Sequence, residues 1–228
     1  MADQTLQIHV GVYLQSKLID ESIHFAKKND CHFFAFDLID DQSENEFILY
    51  SDKASDIYSW NNSVVGKLKP NFDQLDLQLK WASHLSIKYL LAWQINADIL
   101  NFSRKIYKAL IETPEFNGEI WIPFRIIKED VSKSIDFFTL IPNQNNIFPV
   151  LLLDGDIDRE RLDYWFSKNV RCLLIKTNQF ETNEDGDPIL SNFLTKTVLS
   201  FLEREINILI VSDDLNDQND YVLKFCEF

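Results

Sequence analysis

A set of polar side chains stands just past the apolar runs of this sequence: Asp37, Lys67, Gln94, Arg125, Asp154, Asp156, Lys176, Asp213 and Asp214. Grouped carboxylates such as Asp37, Asp154 and Asp213 would offer the hard oxygen ligands that hold a divalent cation. A facing pair of carboxyl groups would serve acid–base cleavage of a glycoside. Aspartate in such places also caps the helix that follows, which is the plainer role. The histidines do not extend the set. His9, His24, His32 and His84 occur in no HxH or HExxH spacing, and histidine is at home at intermediate burial without any ligand. No GxSxG nucleophile turn is present. Cys172 opens an apolar run and reads as a packing residue.

Glycine usage narrows the chemistry further. The chain has 5 glycines, and the two nearest in sequence are Gly155 and Gly186. Neither GxGxxG nor GxxxxGK[ST] is therefore possible. Nucleotides and S-adenosylmethionine are usually gripped by such glycine turns at a helix N-terminus, so no cofactor-binding residues are expected in this chain.

These side chains matter only if the chain brings them together. Eight apolar, β-branched or aromatic runs start near Leu6, Cys31, Ser63, Lys88, Glu119, Phe148, Arg171 and Asn207, each followed by room for one helix. That rhythm predicts a single-domain (β/α)8 barrel spanning residues 1–228, lean beside the ~250 residues usual for this fold. In such a barrel the strand C-terminal ends form one face, where the polar set would gather. Helices are expected over Lys17 to Lys28, Leu75 to Leu85, Ile99 to Leu110, Asp158 to Ser167 and Asn192 to Arg204, each with apolar residues on one face. Pro114 and Gly118 read as stop signals for the third of these. The stretch from Glu129 to Asn146 is weakly patterned. Pro123 inside the fifth run predicts a bulge or an end, since proline cannot donate to a ladder. Asp40 to Asp56 is polar and acidic and reads as an exposed excursion. Asp214 to Phe228 leaves room for at most an incomplete last helix.

Composition excludes several classes. Hydrophobic residues are 46% and aromatics 13%, enough for a sizeable core. A net charge of −14 without a run of three basic residues argues against nucleic acid, whose counterions are displaced by clustered Lys and Arg. Cys31, Cys172 and Cys226 are odd in number and widely spaced, which fits neither a zinc site nor a disulfide framework and suits a reducing compartment. No apolar stretch approaches the ~18 residues of a membrane span, and Met1 to Thr5 does not open a signal peptide. Of the tryptophans Trp60, Trp81, Trp93, Trp121 and Trp165, only Trp60 lies in a polar context. Trp60 is the aromatic candidate for a binding contact.

Ser59-Trp60-Asn61-Asn62-Ser63-Val64-Val65-Gly66-Lys67-Leu68 resembles the entry to the third strand in the N-terminal barrel of the type II, symmetric protein arginine methyltransferases. Ile157-Asp158-Arg159 to Trp165 and Val170 to Phe180 are similar to that family's sixth helix and seventh strand. Thr182-Asn183, Gly186 and Pro188-Ile189-Leu190 are similar to the loop and helix start beyond it. The order and spacing agree from about Cys31 to Val211.

The resemblance implies a scaffold rather than a catalyst. In that family the barrel binds a WD-repeat β-propeller partner in the methylosome and helps arrange the oligomer. S-adenosylmethionine and the catalytic glutamates belong to a later Rossmann-type domain, supplied in cis or in an oligomer. The implied location is cytoplasmic or nuclear, with neither nucleic acid nor membrane as partner. The resemblance also points to Asn183 as a contact residue, in a loop where the family receives acidic adaptor peptides on two lysines and an aromatic residue. Here Glu184, Asp185 and Asp187 occupy those positions, and like charges across a contact disfavour it. The alternative expectation is a small barrel enzyme acting on a sugar or other small molecule through Asp154, Asp213 and Lys176.

Overall fold

The computed structural model describes residues 10–14, 24, 27–28, 33–37, 64–68, 74–92, 99–141, 146–153, 157–185 and 188–212. Eight parallel strands close into a barrel, and each pairs with its neighbours in sequence order. They are β1 (Val10–Leu14), β2 (Phe33–Asp37), β3 (Val64–Leu68), β4 (Tyr89–Ala92), β5 (Glu119–Arg125), β6 (Ile147–Leu153), β7 (Cys172–Lys176) and, beyond a small hairpin, β10 (Asn207–Ser212). The ring closes where β1 lies against β10, with Val10 opposite Ile208 and Leu14 opposite Ser212. The hairpin is β8 (Glu181–Thr182) paired antiparallel with β9 (Pro188–Ile189). The described helices are α1 (Leu75–His84), α2 (Ile99–Glu112), α3 (Lys128–Leu140), α4 (Leu162–Ser167) and α5 (Asn192–Leu202).

Alternation along the strands sorts the apolar residues into two cores. Ala35, Val65, Leu91, Trp121, Val150, Leu174 and Leu209 point inward and fill the barrel. The residues between them, such as Leu90, Ile120, Ile122, Leu151, Leu173 and Ile208, point outward beneath the helices. Among the described residues, β3 to β7 and β10 are thus covered on both faces, which is why their runs read as continuously apolar. The outer layer is anchored by aromatics. Phe124 lies 5.2 Å from Trp165 and packs edge-on against Phe137, and Phe166 packs on Phe201.

Several local expectations change. Pro123 neither ends β5 nor bulges it. The register advances one residue for one from Ile120–Ile147 to Arg125–Leu152. One missing N–H is a small loss when the pairs on either side hold the register. The weakly patterned segment after Glu129 holds a helix, α3. Its pattern is weak because the buried stripe is partly polar: Asp130, Ser134 and Phe137 share it. Ser134 Oγ contributes a hydrogen bond of 2.7 Å with Tyr164 OH and donates to the Val131 carbonyl at 2.8 Å.

The stretch from Asp158 to Ser167 divides into a 3-10 turn, Arg159–Arg161, and the short α4. Asp158 caps the turn by accepting from the Glu160 N–H at 3.1 Å. Ser191 caps α5 by accepting from the Leu194 N–H. Gly118 is no helix stop. α2 already ends at Glu112, and Gly118 instead lets β5 approach Lys88 at the start of β4. The expected helix over Lys17 to Lys28 is described only at His24, Lys27 and Lys28, which are helical and exposed. The acidic excursion at 40–56 and the stretch 214–228 lie outside the described residues.

Candidate interaction surface at the strand C-terminal ends

Two ends of the barrel carry different chemistry. At the N-terminal end, Glu119 sits between two donors. Trp121 Nε1 donates to its Oε2 at 3.0 Å, and Arg171 Nη2 reaches its Oε1 at 3.0 Å. The Arg171 guanidinium stacks 3.8 Å from the Phe148 ring centroid, and Tyr89 packs 5.0 Å from Trp121. A partly screened ion pair held between aromatic faces closes this end, and polar groups there serve stability rather than reaction.

The C-terminal end gathers part of the polar set. Asp37 ends β2 in register with Lys67 of β3. Lys67 and Lys176 are half-buried, each two residues beyond an inward-pointing position of its strand, Val65 and Leu174. Arg125 ends β5, yet its guanidinium turns to the first turn of α3. Asp130 accepts from the Arg125 N–H at 2.7 Å and faces Arg125 Nε at 3.6 Å and Lys133 Nζ at 3.0 Å. Asp130 is buried with all three partners in place, so Arg125 locks the β5–α3 turn. Gln94, Asp154, Asp156, Asp213 and Asp214 lie outside the described residues. Among the described residues no group of three His, Cys, Asp or Glu is placed to hold a metal ion.

The loop after β7 projects from this same end. A 3-10 turn, Thr177–Gln179, leads into the β8–β9 hairpin. Asn183 stands at its turn, where its Oδ1 accepts from the Asp185 N–H at 3.0 Å. That bond is an Asx turn, the local role for which asparagine is favoured at such corners. Glu181, Glu184 and Asp185 are exposed around it, so the hairpin offers an acidic tip. Asp187 and Trp60 lie outside the described residues.

The other candidates divide in the same way. His24 and His84 are exposed helical residues. Cys172 is a free thiol in the inner core, and burial pushes it far up, with a backbone hydrogen bond at Leu209 opposing in part. It is an un-ionised packing residue, as its place at the head of a strand suggests. Trp121 and Trp165 are buried and Trp81 is half-buried. Trp93, His9, His32, Cys31 and Cys226 lie outside the described residues. Sequence reasoning missed the Arg125–Asp130–Lys133 cluster and the Glu119–Arg171 pair. Asp130, an acidic residue in the first turn of a helix, was the legible signal for the former. The latter joins two strands far apart in sequence, and no local pattern marks it.

Comparison with known proteins places the chain. It is 24% identical over 188 residues to Protein arginine N-methyltransferase 5 of Oryza sativa subsp. indica, and to the same protein of Oryza sativa subsp. japonica, covering 66% of this chain. It spans 29% of the length of those relatives. The xylose isomerase domain protein from Planctomyces limnophilus superposes with a TM-score of 0.63 at 8% identity, covering 96% of this chain and 94% of that one. A monomeric form of a dimeric isomerase from Thermotoga maritima superposes with a TM-score of 0.53 at 12% identity, covering 96% and 97%. At these identities the structures share the fold alone. The family model for the PRMT5 TIM barrel domain matches residues 41–225, and the chain belongs to that family.

Proposed function

We propose that this barrel is the scaffolding, partner-binding domain of a symmetric protein arginine methyltransferase, and that it binds a WD-repeat β-propeller protein as a methylosome component. The family match over residues 41–225 carries this reading. In the full-length context it would support methylation of arginines in histones and spliceosomal proteins, in the cytoplasm or nucleus. In this reading the methyl donor S-adenosylmethionine is held outside this barrel. Gly11 and Gly66 lie within β1 and β3, and Gly118 immediately precedes β5. None of these opens a helix, where a glycine turn would meet the cofactor. The reading therefore assigns methyl transfer to a separate catalytic domain.

Acidic adaptor peptides are not bound at the hairpin in this reading. Exposed Glu184 and Asp185 would face acidic groups, and the Asn183 carboxamide oxygen is engaged in its own turn. Like charges steer such a peptide away. Tight binding that disappears on Asn183→Ala, measured by isothermal titration calorimetry, would overturn this part.

The partner role is tested by mixing the purified chain with the WD-repeat protein and measuring mass by size exclusion with light scattering. The expected result is co-elution with equal numbers of each chain. A folded barrel that elutes apart from the propeller at every concentration overturns the scaffold reading.

A further inference from the structure

We infer that Asn117 is a site of spontaneous deamidation through the Gly118 nitrogen, and that the isoaspartate it yields loosens the seam between β4 and β5. Asn117-Gly118 is the one Asn-Gly step in the sequence. It lies between the end of α2 at Glu112 and the start of β5 at Glu119. Asparagine and glycine are both favoured in such connections because they tolerate unusual backbone angles. Here glycine has a second reason, the Lys88 carbonyl oxygen that a Cβ would overlap. The missing Cβ that admits this oxygen also leaves the Gly118 nitrogen unshielded toward the side chain before it.

The local contacts leave this pair open to reaction. Asn117 is exposed, and among the described residues no group bonds its side chain or the Gly118 N–H. Asn169 and Asn183 are held instead, their carboxamide oxygens accepting from Arg171 Nη1 and from the Asp185 N–H. The chain is fixed on either side of the pair. Ser83 Oγ donates to the Glu115 carbonyl at 3.1 Å, and the Phe116 ring is buried. Beyond the pair, the Glu119 N–H donates to the Lys88 carbonyl at 2.6 Å.

The Gly118 nitrogen gives up its proton and bonds to the Asn117 side-chain carbonyl carbon, Cγ. The Cγ–Nδ2 bond breaks, and Nδ2 leaves as ammonia with that proton, closing a succinimide. Water then opens the ring on one of two sides. Attack at Cγ breaks its bond to the Gly118 nitrogen and gives aspartate. Attack at the backbone carbonyl breaks the original peptide bond and gives isoaspartate, whose main chain runs through Cβ and Cγ. Isoaspartate adds one atom to the backbone between Phe116 and Glu119, both of which are fixed. That atom has no room beside the Lys88 carbonyl, where even a Cβ does not fit, so the first pair of the β4–β5 ladder must give way. The new carboxylate is the group that an isoaspartate-repair O-methyltransferase takes as substrate.

The test ages the folded full chain for several weeks in mildly alkaline buffer at physiological temperature, beside a guanidinium-unfolded sample. Peptide mapping by mass spectrometry locates the deamidated residue. Methylation by a purified protein L-isoaspartate O-methyltransferase counts the isoaspartate. The expected result is isoaspartate at residue 117 of the folded chain. Asn117→Gln, which must close a larger and slower-forming ring, should cut the labelling at least about tenfold. The modified fraction, separated by anion exchange on its added charge, should show a lower urea midpoint than unaged protein. Fresh Asn117→Asp carries the same charge on a normal backbone and should keep the wild-type midpoint, since an exposed charge contributes little. Far-UV circular dichroism checks that each variant is folded. A folded chain without isoaspartate at residue 117, while the unfolded sample forms it, overturns the site. An isoaspartate fraction with an unchanged midpoint, or fresh Asn117→Asp lowered as far, overturns the loosening of the seam.

Discussion

Replacing Gly118 by alanine opposes two effects whose balance can be worked from the structure. A Cβ at this position would overlap the Lys88 carbonyl oxygen and lie 2.7 Å from Phe116 Cζ and 2.9 Å from the Lys88 carbonyl carbon. The Phe116 ring is buried and has little room to swing. The Lys88 oxygen is backbone, and it accepts the Glu119 N–H at 2.6 Å, the bond that starts the pairing of β4 with β5. Making room means drawing the strands apart at their first pair. Lost hydrogen bonding costs about 1 kcal/mol, and overpacking at a site that cannot relax costs about 1–3 kcal/mol. Against this, alanine restricts the unfolded chain and stabilises by about 0.4–1 kcal/mol. The expected net loss is about 2 kcal/mol. It is read as a lower urea midpoint at unchanged slope and a melting temperature lower by about 4–8 °C for a domain of this size. If Gly118 only marked the end of a helix, alanine would be neutral or stabilising. An unchanged or raised urea midpoint refutes the close-approach reasoning.

Asp130→Ala strips the Arg125 N–H and the Lys133 ammonium of their acceptor. It should cost about 1–3 kcal/mol in urea unfolding, with Asp130→Asn losing less because an oxygen remains to accept. Glu205 follows the end of α5 with φ 56, a left-handed conformation that suits glycine. Glu205→Gly should raise stability by about 0.5 kcal/mol, the relieved strain exceeding the entropy added to the unfolded chain, and calorimetric melting reads the sign. Cys172, in a C31S/C226S background, should react with a thiol reagent at pH 8 no faster than the protein unfolds. Because burial raises the folded thiol above its ordinary 9.0, the unfolded chain ionises first. The native state should therefore lose stability as pH rises through that value, an effect that Cys172→Ala removes.

The eight-strand closed ring was legible because strands such as β3 to β7 and β10 are buried on both faces, and a doubly buried strand is written as an apolar run. β3, β4 and β7 fall within a residue of where those runs stand, and α1 and α2 follow their apolar stripes. α3 was obscured because Asp130 and Ser134 occupy its buried stripe, and hydropathy cannot foresee that Arg125 and Tyr164 will satisfy them. The β8–β9 hairpin was missed because two-residue strands carry no periodicity. Asn183 was legible as a residue of interest, but its engagement by the Asp185 N–H is a matter of turn geometry.

By itself the sequence determined the barrel, its acidic character and its lack of a glycine-rich cradle, since these rest on periodicity, charge and residue type. Tertiary structure decided which polar residues act together. The strand ends are brought to one face by closure of the ring, and only there does Asp37 meet the register of Lys67. Arg125, grouped by position with the other strand-end residues, is withdrawn to Asp130 because a buried carboxylate costs more unpaired than an exposed guanidinium gains in water. Gly118 shows the same division. Its smallness is written in the sequence, but the need for it arises from the Lys88 carbonyl that folding brings against it.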